Sequence, residues 1–350
     1  MYFGLSEDQI FFQDNVKRFL EDQAPLDIIK KISEGEDLST KNELNQGLIN
    51  LGINNILIPE ENGGLGLDLL FASAVSQSLG EGVATFPFLG PYVIAPIAIK
   101  FGASDEQKEK LFNEMSQNLI SFGIGFSEYF GSRDSSGLSI TNNTVTGRTL
   151  FVLDTDYASH VMLCDKKGQI GLISLDSEGI EIIDLTTVDK TRTYKEMSFE
   201  NTPIEILDNT KSSSLSIEMA LNAGRIITAA DSLGASQAMI NKAVEYSKER
   251  KQFNRVIGSF QAVKHMCAEM TAELEPCYSL VWHAAYSFDN SNKDSKLMAC
   301  LAKSHISEVS KMVSKKATEV HGGMGFTDLL GLHFWFKRIG LNRHILGSPE

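Results

Sequence analysis

The chain has 350 residues, of which 42% are hydrophobic and 22% are charged, and its formal net charge is −13. This length exceeds one typical hydrophobic core, so two or three domains are expected, and the apolar fraction excludes a disordered chain. The acidic excess argues against a nucleic-acid partner, because there is no basic majority that could release counterions.

Neither a metal site nor a membrane span is expected from the sequence. Cys164, Cys267, Cys277 and Cys300 lie without Cys-x-x-Cys spacing, which is typical of a reducing compartment and predicts neither zinc nor a disulfide framework. The N-terminal stretch lacks the basic region and cleavage site of a signal peptide, and its acidic residues disfavour a transit peptide. Apolar runs are broken by Pro and Gly before they could cross a bilayer. We therefore expect a cytoplasmic protein.

Residues 1–120 are predicted to form a helical domain. The stretch "SEDQIFFQDNVKRFL" begins with Ser6 as N-cap, has Gln three positions later, and continues with apolar residues at helical spacing. In "STKNELNQGLINLG" the pattern repeats, with Ser39 or Thr40 as cap and Gly52 as stop. The segment "NGGLGLD" is interpreted as a loop between helices, and "SDEQKEKLFNEMSQN" as another capped helix.

The period of the sequence changes between residues 121 and 209. Short β-branched runs such as "HVMLCDKKGQIGLISLD" alternate with Gly, Asn and Asp turns, which predicts a small sheet or barrel. Residues 210–350 return to helical spacing. The predicted order is therefore helices, a β-domain and helices again.

One segment collects positive charge although the chain is acidic. In "KERKQFNRVIGSFQAVKH" (248–265) the cationic or potentially cationic residues are Lys248, Arg250, Lys251, Arg255, Lys264 and His265. One interpretation is a solvated helix end, since cations are favoured at helix C-termini. The alternative is a binding place for an anionic ligand with a flat part, because Phe253, Phe260 and Gln261 lie among the cations.

A glycine-rich segment, "HGGMGFT" (321–327), follows a helical pattern instead of preceding one. It is therefore neither a Rossmann fingerprint nor a P-loop, both of which lie between a strand and a helix N-terminus. Two interpretations remain open: a helix C-cap, or paired glycines that let the backbone approach a ligand closely.

Taken together, "PEENGGLGLD", "YSKERKQFNRVIGSFQAVKHMCAEM" and "EVHGGMGFTDLLGLHFWFKR" resemble segments of the acyl-CoA dehydrogenase family, and the similarity covers nearly the whole chain. The resemblance implies an α+β multidomain fold: an N-terminal helical domain (1–120), a middle β-domain (121–209) and a C-terminal four-helix bundle (210–350). It also implies FAD as cofactor, an acyl-CoA substrate, an acceptor of the electron-transferring flavoprotein type, and a homo- or hetero-oligomer, commonly a tetramer.

The resemblance assigns roles in FAD binding to the cationic segment. In the family, residues at the positions of Arg250, Phe253 and Gln261 contact FAD, commonly the FAD of a neighbouring subunit. The chemistry is suitable, since Arg250 supplies a forked cation for a diphosphate, Phe253 a surface for a ring, and Gln261 amide donors and acceptors.

The same comparison places Gly322 and Gly323 beside the FAD diphosphate. Glu319 stands where the family usually has Gln. A carboxylate near phosphate is a departure from the family pattern.

The flavin ring is expected against the β-domain. The family has a Thr-Glu-Pro and Gly-Ser-Asp loop there, and this chain has "FSEYFGSRDSSG". Phe126 and Ser127 match the type of the ring contacts, and Ser132 matches the Ser position. The segment "TLFVLDTDYASHVML" resembles the strand that packs on the flavin, with Phe151 or Leu153 nearest to it, although either residue could equally belong to an ordinary core strand.

The implied reaction is α,β-dehydrogenation of an acyl-CoA thioester, in which a carboxylate removes the α-proton and the β-hydrogen leaves as hydride to the flavin. The base needs a position beside the α-carbon and a suitable pKa. In the family it is a Glu in one of two places. One is the residue before the helix Arg that matches Arg225, and here it is Gly224. The other corresponds to Ile345 or Leu346. Neither place holds a carboxylate.

Asp231 is the nearest substitute for the missing base. It lies seven residues after Gly224, on the same helical face but about 10 Å along the axis, and a helix Asp facing a bundle is more often a structural hydrogen-bonding residue. Arg225 is expected to be a structural or substrate-facing cation. Two hypotheses follow: an active dehydrogenase with an unconventional base, or a base-less subunit that completes a partner's FAD site in a heteromeric enzyme.

Overall fold

A computed structural model describes residues 4–130 and 136–350. The order of its elements is helices, a sheet and helices again, which confirms the predicted fold class. The first group has a π-helical turn at Gly90–Ile94 and the helices α1 (Glu7–Gln23), α2 (Leu26–Ser33), α3 (Leu38–Asn50), α4 (Leu69–Glu81), α5 (Ala95–Gly102) and α6 (Asp105–Ser116).

Local capping explains where these helices begin. Ser6 forms the predicted capping box of α1: its Oγ accepts the Gln9 amide N–H at 3.2 Å, and the Gln9 side chain accepts the Ser6 N–H at 2.8 Å. Helix α3 begins earlier than predicted. Its N-cap is Asp37 and not Ser39 or Thr40, because the Asp37 carboxylate accepts the Thr40 N–H at 3.0 Å.

The middle region is a single mixed sheet. Its strands are β1 (Phe122–Gly125), β2 (Gly137–Thr141), β3 (Thr144–Leu153), β4 (His160–Cys164), β5 (Ile170–Ser174), β6 (Ile180–Leu185), β7 (Tyr194–Pro203) and β8 (Glu205–Ile206). The strand order is β6-β7-β3-β1-β4-β5-β8, and β2 pairs with β3. The central strand β1 is parallel to β4 and antiparallel to β3, with Ile124 opposite Leu153. A short helix, α7 (Ser127–Phe130), follows β1 and therefore lies beside the middle of β3.

The last region is a helical bundle around one long helix. Its elements are α8 (Leu215–Glu249), the small strands β9 (Lys251–Gln252) and β10 (Arg255–Val256), α9 (Gln261–Asp289), α10 (Ser295–His321) and α11 (Leu332–Asn342). Helix α8 packs against α4, α9, α10 and α11. A Cβ on Gly234 would lie 1.9 Å from the Gln77 carbonyl oxygen, and a Cβ on Gly80 would lie 2.0 Å from that of Asp231. The backbones of α4 and α8 therefore touch, which requires glycine at both positions.

After α11 the chain turns back over the start of α8. Ile345 and Leu346 are buried, and Leu346 has a left-handed backbone with φ of 59°, which is uncommon for a bulky residue. Across residues 4–130 and 136–350, no helix combines the length and the apolar character that a bilayer span needs, and His, Cys, Asp and Glu form no group of three or more suited to a metal.

Candidate flavin and acyl site

A cavity of about 280 Å³ lies between the sheet and the C-terminal segment. It is lined by Phe126, Ser127, Glu128, Leu150, Phe151, Leu153, Tyr194, Leu341, His344, Ile345 and Leu346. The structure thus brings together Phe126, Ser127 and Phe151, three of the residues predicted to contact the flavin ring. Ser132, the fourth residue predicted from this region, lies outside the described residues.

Glu128 is the buried carboxylate of this cavity, and the sequence interpretation did not select it. Its Oε2 accepts hydrogen bonds from the Ser127 and Thr149 hydroxyls, both at 2.7 Å, and its Oε1 accepts the Leu150 N–H at 3.0 Å. The two bonds to Thr149 and Leu150 fix α7 against β3 and hold the cavity wall in place. The available signal was the match of "SEY" (127–129) to the family's Thr-Glu-Pro, with Tyr129 in place of Pro, which put Glu128 at the family's Glu position.

Aromatic rings form one wall of the cavity. The ring centroids of Phe151 and Tyr194 are 4.9 Å apart. Burial raises the pKa of Tyr194 well above its usual value, so the phenol is neutral at physiological pH. A largely apolar cavity with a few polar groups is the usual character of a cofactor or ligand site.

The two positions that the sequence resemblance predicts for the base, Gly224 and Ile345 or Leu346, meet in space. A Cβ on Gly224 would lie 2.5 Å from Leu346 Cδ1 and 3.1 Å from Ile94 Cδ1. The Gly224 position in α8 and the position after α11 are therefore one place in the fold, at the edge of the cavity that Leu346 lines. That place is occupied by a leucine side chain packed against a glycine, and neither residue can accept a proton.

The structure does not bring Asp231 to this cavity. Its carboxylate pairs with Arg192 at 2.9 Å, accepts the Asn342 Nδ2–H at 2.6 Å, and lies 3.8 Å from Arg338 Nη1. The side chain is 3% exposed and lies beside a separate void of about 10 Å³. Asp231 pairs with Arg192 and lies near Arg338, as expected of a structural residue.

Arg225 contacts the C-terminal segment. Its Nε donates to the Leu346 carbonyl oxygen at 3.1 Å and its Nη1 to Asn222 Oδ1 at 3.0 Å. The guanidinium does not line the 280 Å³ cavity. Contact of Arg225 with substrate therefore stays a prediction from the sequence.

The predicted FAD residues of the cationic segment lie on an exposed hairpin. Arg250 ends α8, and the turn that follows has positive φ at Phe253 (51°) and Asn254 (62°), as in the tight turns that suit hairpins. Phe253 is 87% exposed, and Gln261 begins α9 at the surface. Phe253 makes an edge contact with Phe260 in the same chain, with ring centroids 6.1 Å apart, and most of its surface stays available to cover a ring.

The glycine pair Gly322–Gly323 lies at the same end of the bundle. The rings of Tyr246, near the end of α8, and His321, at the end of α10, have centroids 4.6 Å apart. A Cβ on Gly322 or Gly323 would meet nothing within 4 Å, so the packing of this chain does not demand glycine there. The space above the pair is open to a ligand.

Glu319 is exposed one turn earlier on α10. The lining of the 280 Å³ cavity includes neither Glu319 nor any predicted FAD residue of the hairpin or the glycine pair. Within one chain the residues predicted to contact FAD therefore lie in two places: around the 280 Å³ cavity, and at an exposed end of the bundle.

Comparisons with known proteins identify the family and the fold of this chain. The family profile described as acyl-CoA dehydrogenase, N-terminal domain, matches residues 6–118, and that of the C-terminal domain matches residues 215–350. A subunit of the caffeyl-CoA reductase-Etf complex, CarC of Acetobacterium woodii, is 27% identical over 351 residues, covering 93% of this chain and 90% of its own.

Solved structures have the same fold. Butyryl-CoA dehydrogenase from Megasphaera elsdenii superposes with a TM-score of 0.89 at 21% identity, covering 100% of this chain and 97% of its own. The ChsE4-ChsE5 complex of Mycobacterium tuberculosis gives a TM-score of 0.88 at 19% identity, with coverage of 100% and 96%. The fold and the divided site define a helix–sheet–helix flavoprotein. The chain belongs to the acyl-CoA dehydrogenase family.

This family consists of FAD-dependent oxidoreductases that act on CH–CH groups, and the residues present fit FAD. The fit rests on two observations of this chain. The ring cavity is walled by Phe126 and Phe151, and the open space at Gly322 and Gly323 admits a diphosphate to the backbone.

Proposed function

We propose that this chain is an FAD-binding subunit of a heteromeric acyl-CoA dehydrogenase, in which a longer relative supplies the catalytic base. The observation that carries the proposal is the contact between Gly224 and Leu346. Both family positions for the base converge there, and both hold residues that cannot remove a proton. A subunit with this site requires the carboxylate of another chain for turnover.

FAD supplies the acceptor for the hydride when it is bound. The role of this chain is then to bind and orient the cofactor. Arg250 offsets the charge of a diphosphate through a forked guanidinium, and the exposed Phe253 ring covers a flat part of the ligand. Gly322 and Gly323 let backbone groups approach the phosphates. Because these groups lie at the exposed end of the bundle, they suit a cofactor shared with a neighbouring subunit.

The residues that line the 280 Å³ cavity have a separate role. Phe126 and Phe151 wall it with apolar surface, which excludes water from a bound ring. Ser127 already donates its hydroxyl to Glu128, so its remaining hydrogen-bonding capacity is as an acceptor.

The partners follow from the same proposal. A second, base-bearing chain is supported by similarity to the ChsE4-ChsE5 complex, which contains two different proteins. An acceptor of the electron-transferring flavoprotein type is supported by the relative named as a subunit of an Etf complex. The substrate class is an acyl-CoA thioester, and the expected assembly is a heterotetramer.

A second candidate is a homomeric dehydrogenase with an unconventional base. The observation in its favour is that the cavity persists in this chain and is lined by two further titratable groups, Glu128 and His344. Glu128 is engaged in three hydrogen bonds, which makes it the poorer base of the two.

Co-expression distinguishes the candidates. The chain is produced alone and together with a relative that carries Glu at either base position, and FAD content and acyl-CoA turnover are measured. The proposal predicts turnover only for the mixed assembly, with Arg250→Ala in this chain lowering its FAD content strongly. Lys248→Ala is the matched control, because Lys248 lies two residues before Arg250 and its ion pair within the described part of the chain is with Glu245 on the same helix. A yellow, active homotetramer of this chain alone would contradict the proposal.

A further inference from the structure

Lys303, in α10, is a buried lysine that pairs with no carboxylate of residues 4–130 and 136–350. Its side chain is 4% exposed, and its Nζ donates to Ser307 Oγ at 3.4 Å, to the Arg343 carbonyl oxygen at 3.1 Å and to that of Gly347 at 3.2 Å. Lysine is almost never fully buried unless its charge is paired. This position therefore serves something other than ordinary core packing.

The two carbonyls that Lys303 holds belong to the C-terminal segment, residues 343–347. Arg225 holds the same segment from the other side, through the Leu346 carbonyl oxygen at 3.1 Å. Two cations from α8 and α10 thus bind three main-chain carbonyls within five residues. Because the contacts are to the main chain, they fix the path of the segment whichever side chains it carries.

The surrounding charges show why the carbonyls matter. Burial, followed by the charges of Arg225 and Arg343, lowers the pKa of Lys303 to about 8. The Arg343 guanidinium is turned away to Glu308 and Glu350, and those carboxylates are therefore already engaged. The Lys303 ammonium is stabilised by the two carbonyls, so lysine and segment depend on each other.

The segment held in this way carries Leu346, which lines the 280 Å³ cavity beside Gly224. Leu346 packs on Gly224 with a left-handed backbone, a conformation that persists only where the surroundings impose it. We propose that Lys303 is the positioning residue of the C-terminal segment. Together with Arg225 it acts as a latch that holds Leu346 against Gly224, so that Leu346 closes the 280 Å³ cavity on that side. The consequence for the cavity rests on the proposed function, whereas the latch is testable without cofactor or substrate.

Hydrogen–deuterium exchange of the purified chain tests the latch. The amides of Arg343, His344 and Ile345 donate to carbonyls of α11, so they are protected while the segment is latched. Lys303→Met removes the ammonium and keeps a chain of similar length. The matched control is Lys296→Met on the same helix, where the lysine is exposed and pairs with Glu218 at 3.2 Å.

Lys303→Met should speed exchange of the three segment amides at least tenfold, leave the α8 and α10 amides unchanged, and leave the melting temperature equal or higher. Lys296→Met should change none of them. Unchanged segment exchange in Lys303→Met would overturn the proposal, and so would a uniform acceleration throughout the bundle, which would make Lys303 an ordinary structural residue. If the Met variant does not fold, Lys303→Leu, which also lacks a donor, is measured by the same criteria. A failed latch leaves the proposed function standing, since the latter is read from FAD content and turnover.

Discussion

Replacing Gly224 with Ala tests the contact on which the account of the missing base depends. The new Cβ would lie 2.5 Å from Leu346 Cδ1 and 3.1 Å from Ile94 Cδ1, so Leu346 must move by more than 1 Å to reach an ordinary van der Waals distance of about 3.8 Å. Overpacking of this kind costs about 1–3 kcal/mol. Alanine in a helix interior recovers about 1 kcal/mol relative to glycine. We therefore expect Gly224→Ala to lower the free energy of unfolding by about 0–2 kcal/mol.

The matched control is Gly340→Ala in α11, where a Cβ would meet nothing within 4 Å. At this position only the intrinsic helix propensity changes, so the free energy of unfolding should rise by up to about 1 kcal/mol. Urea unfolding of both variants measures the difference, which should be about 1–3 kcal/mol. In a Leu346→Ala background the penalty of Gly224→Ala should shrink, as a double-mutant cycle would show. Equal stabilisation by the two Gly→Ala changes would refute the contact between Gly224 and Leu346.

Three further predictions concern charged residues. Glu319→Gln should raise FAD affinity, since it removes a negative charge from the predicted diphosphate end; unchanged or lower affinity in a flavin titration would show that Glu319 faces elsewhere. Burial raises the pKa of Asp154 to about 6, above its value of about 3.9 in the unfolded chain. The protonated carboxyl therefore stabilises the folded state below about pH 4. This stabilisation is lost as the pH rises through 6. The stability of Asp154→Asn relative to wild type should therefore increase between pH 4 and 7 by about 2 kcal/mol, and a constant difference in urea unfolding would contradict this. Asp231→Asn should cost about 3–5 kcal/mol, because it leaves the buried Arg192 and Arg338 without that carboxylate; a variant of wild-type stability that loses flavin reduction would instead make Asp231 catalytic.

The structure also decides how a base could be restored. The sequence suggests Gly224→Glu, since a glycine in mid-helix is replaced without harm to the helix itself. The space beside Gly224 is already filled by Leu346 and Ile94, so a single change there is expected to distort the segment. Leu346→Glu uses the other of the two convergent positions and needs no added volume on α8.

Much of the fold follows from local signals in the sequence. The capping box at Ser6 and the β-branched runs after residue 121 depend only on neighbours along the chain, and both are present in the structure. The cap of α3 was predicted wrongly because Asp37, Ser39 and Thr40 are all good N-caps. Asp37 is the cap in the structure, because its carboxylate accepts the Thr40 N–H.

The parts of the site that could not be predicted depend on contacts between distant segments. Nothing in the sequence "LAKSHISE" (301–308) distinguishes Lys303 from a surface lysine. It is buried because the chain returns some forty residues later and places the Arg343 and Gly347 carbonyls on it. The meeting of Gly224 with Leu346 likewise joins segments more than a hundred residues apart. The resemblance named both base positions, but only the fold makes them one place.

The most direct test of the account is an anaerobic titration of the purified chain, loaded with FAD, with a panel of acyl-CoA thioesters of different chain length and branching. The flavin absorbance reports reduction of the cofactor independently of any electron acceptor. The account predicts that the spectrum of the isolated chain stays oxidised with every thioester, and that bleaching appears once a base-bearing partner is co-expressed. Rapid bleaching of the isolated chain would contradict it, because a proton acceptor would then have to lie within this subunit.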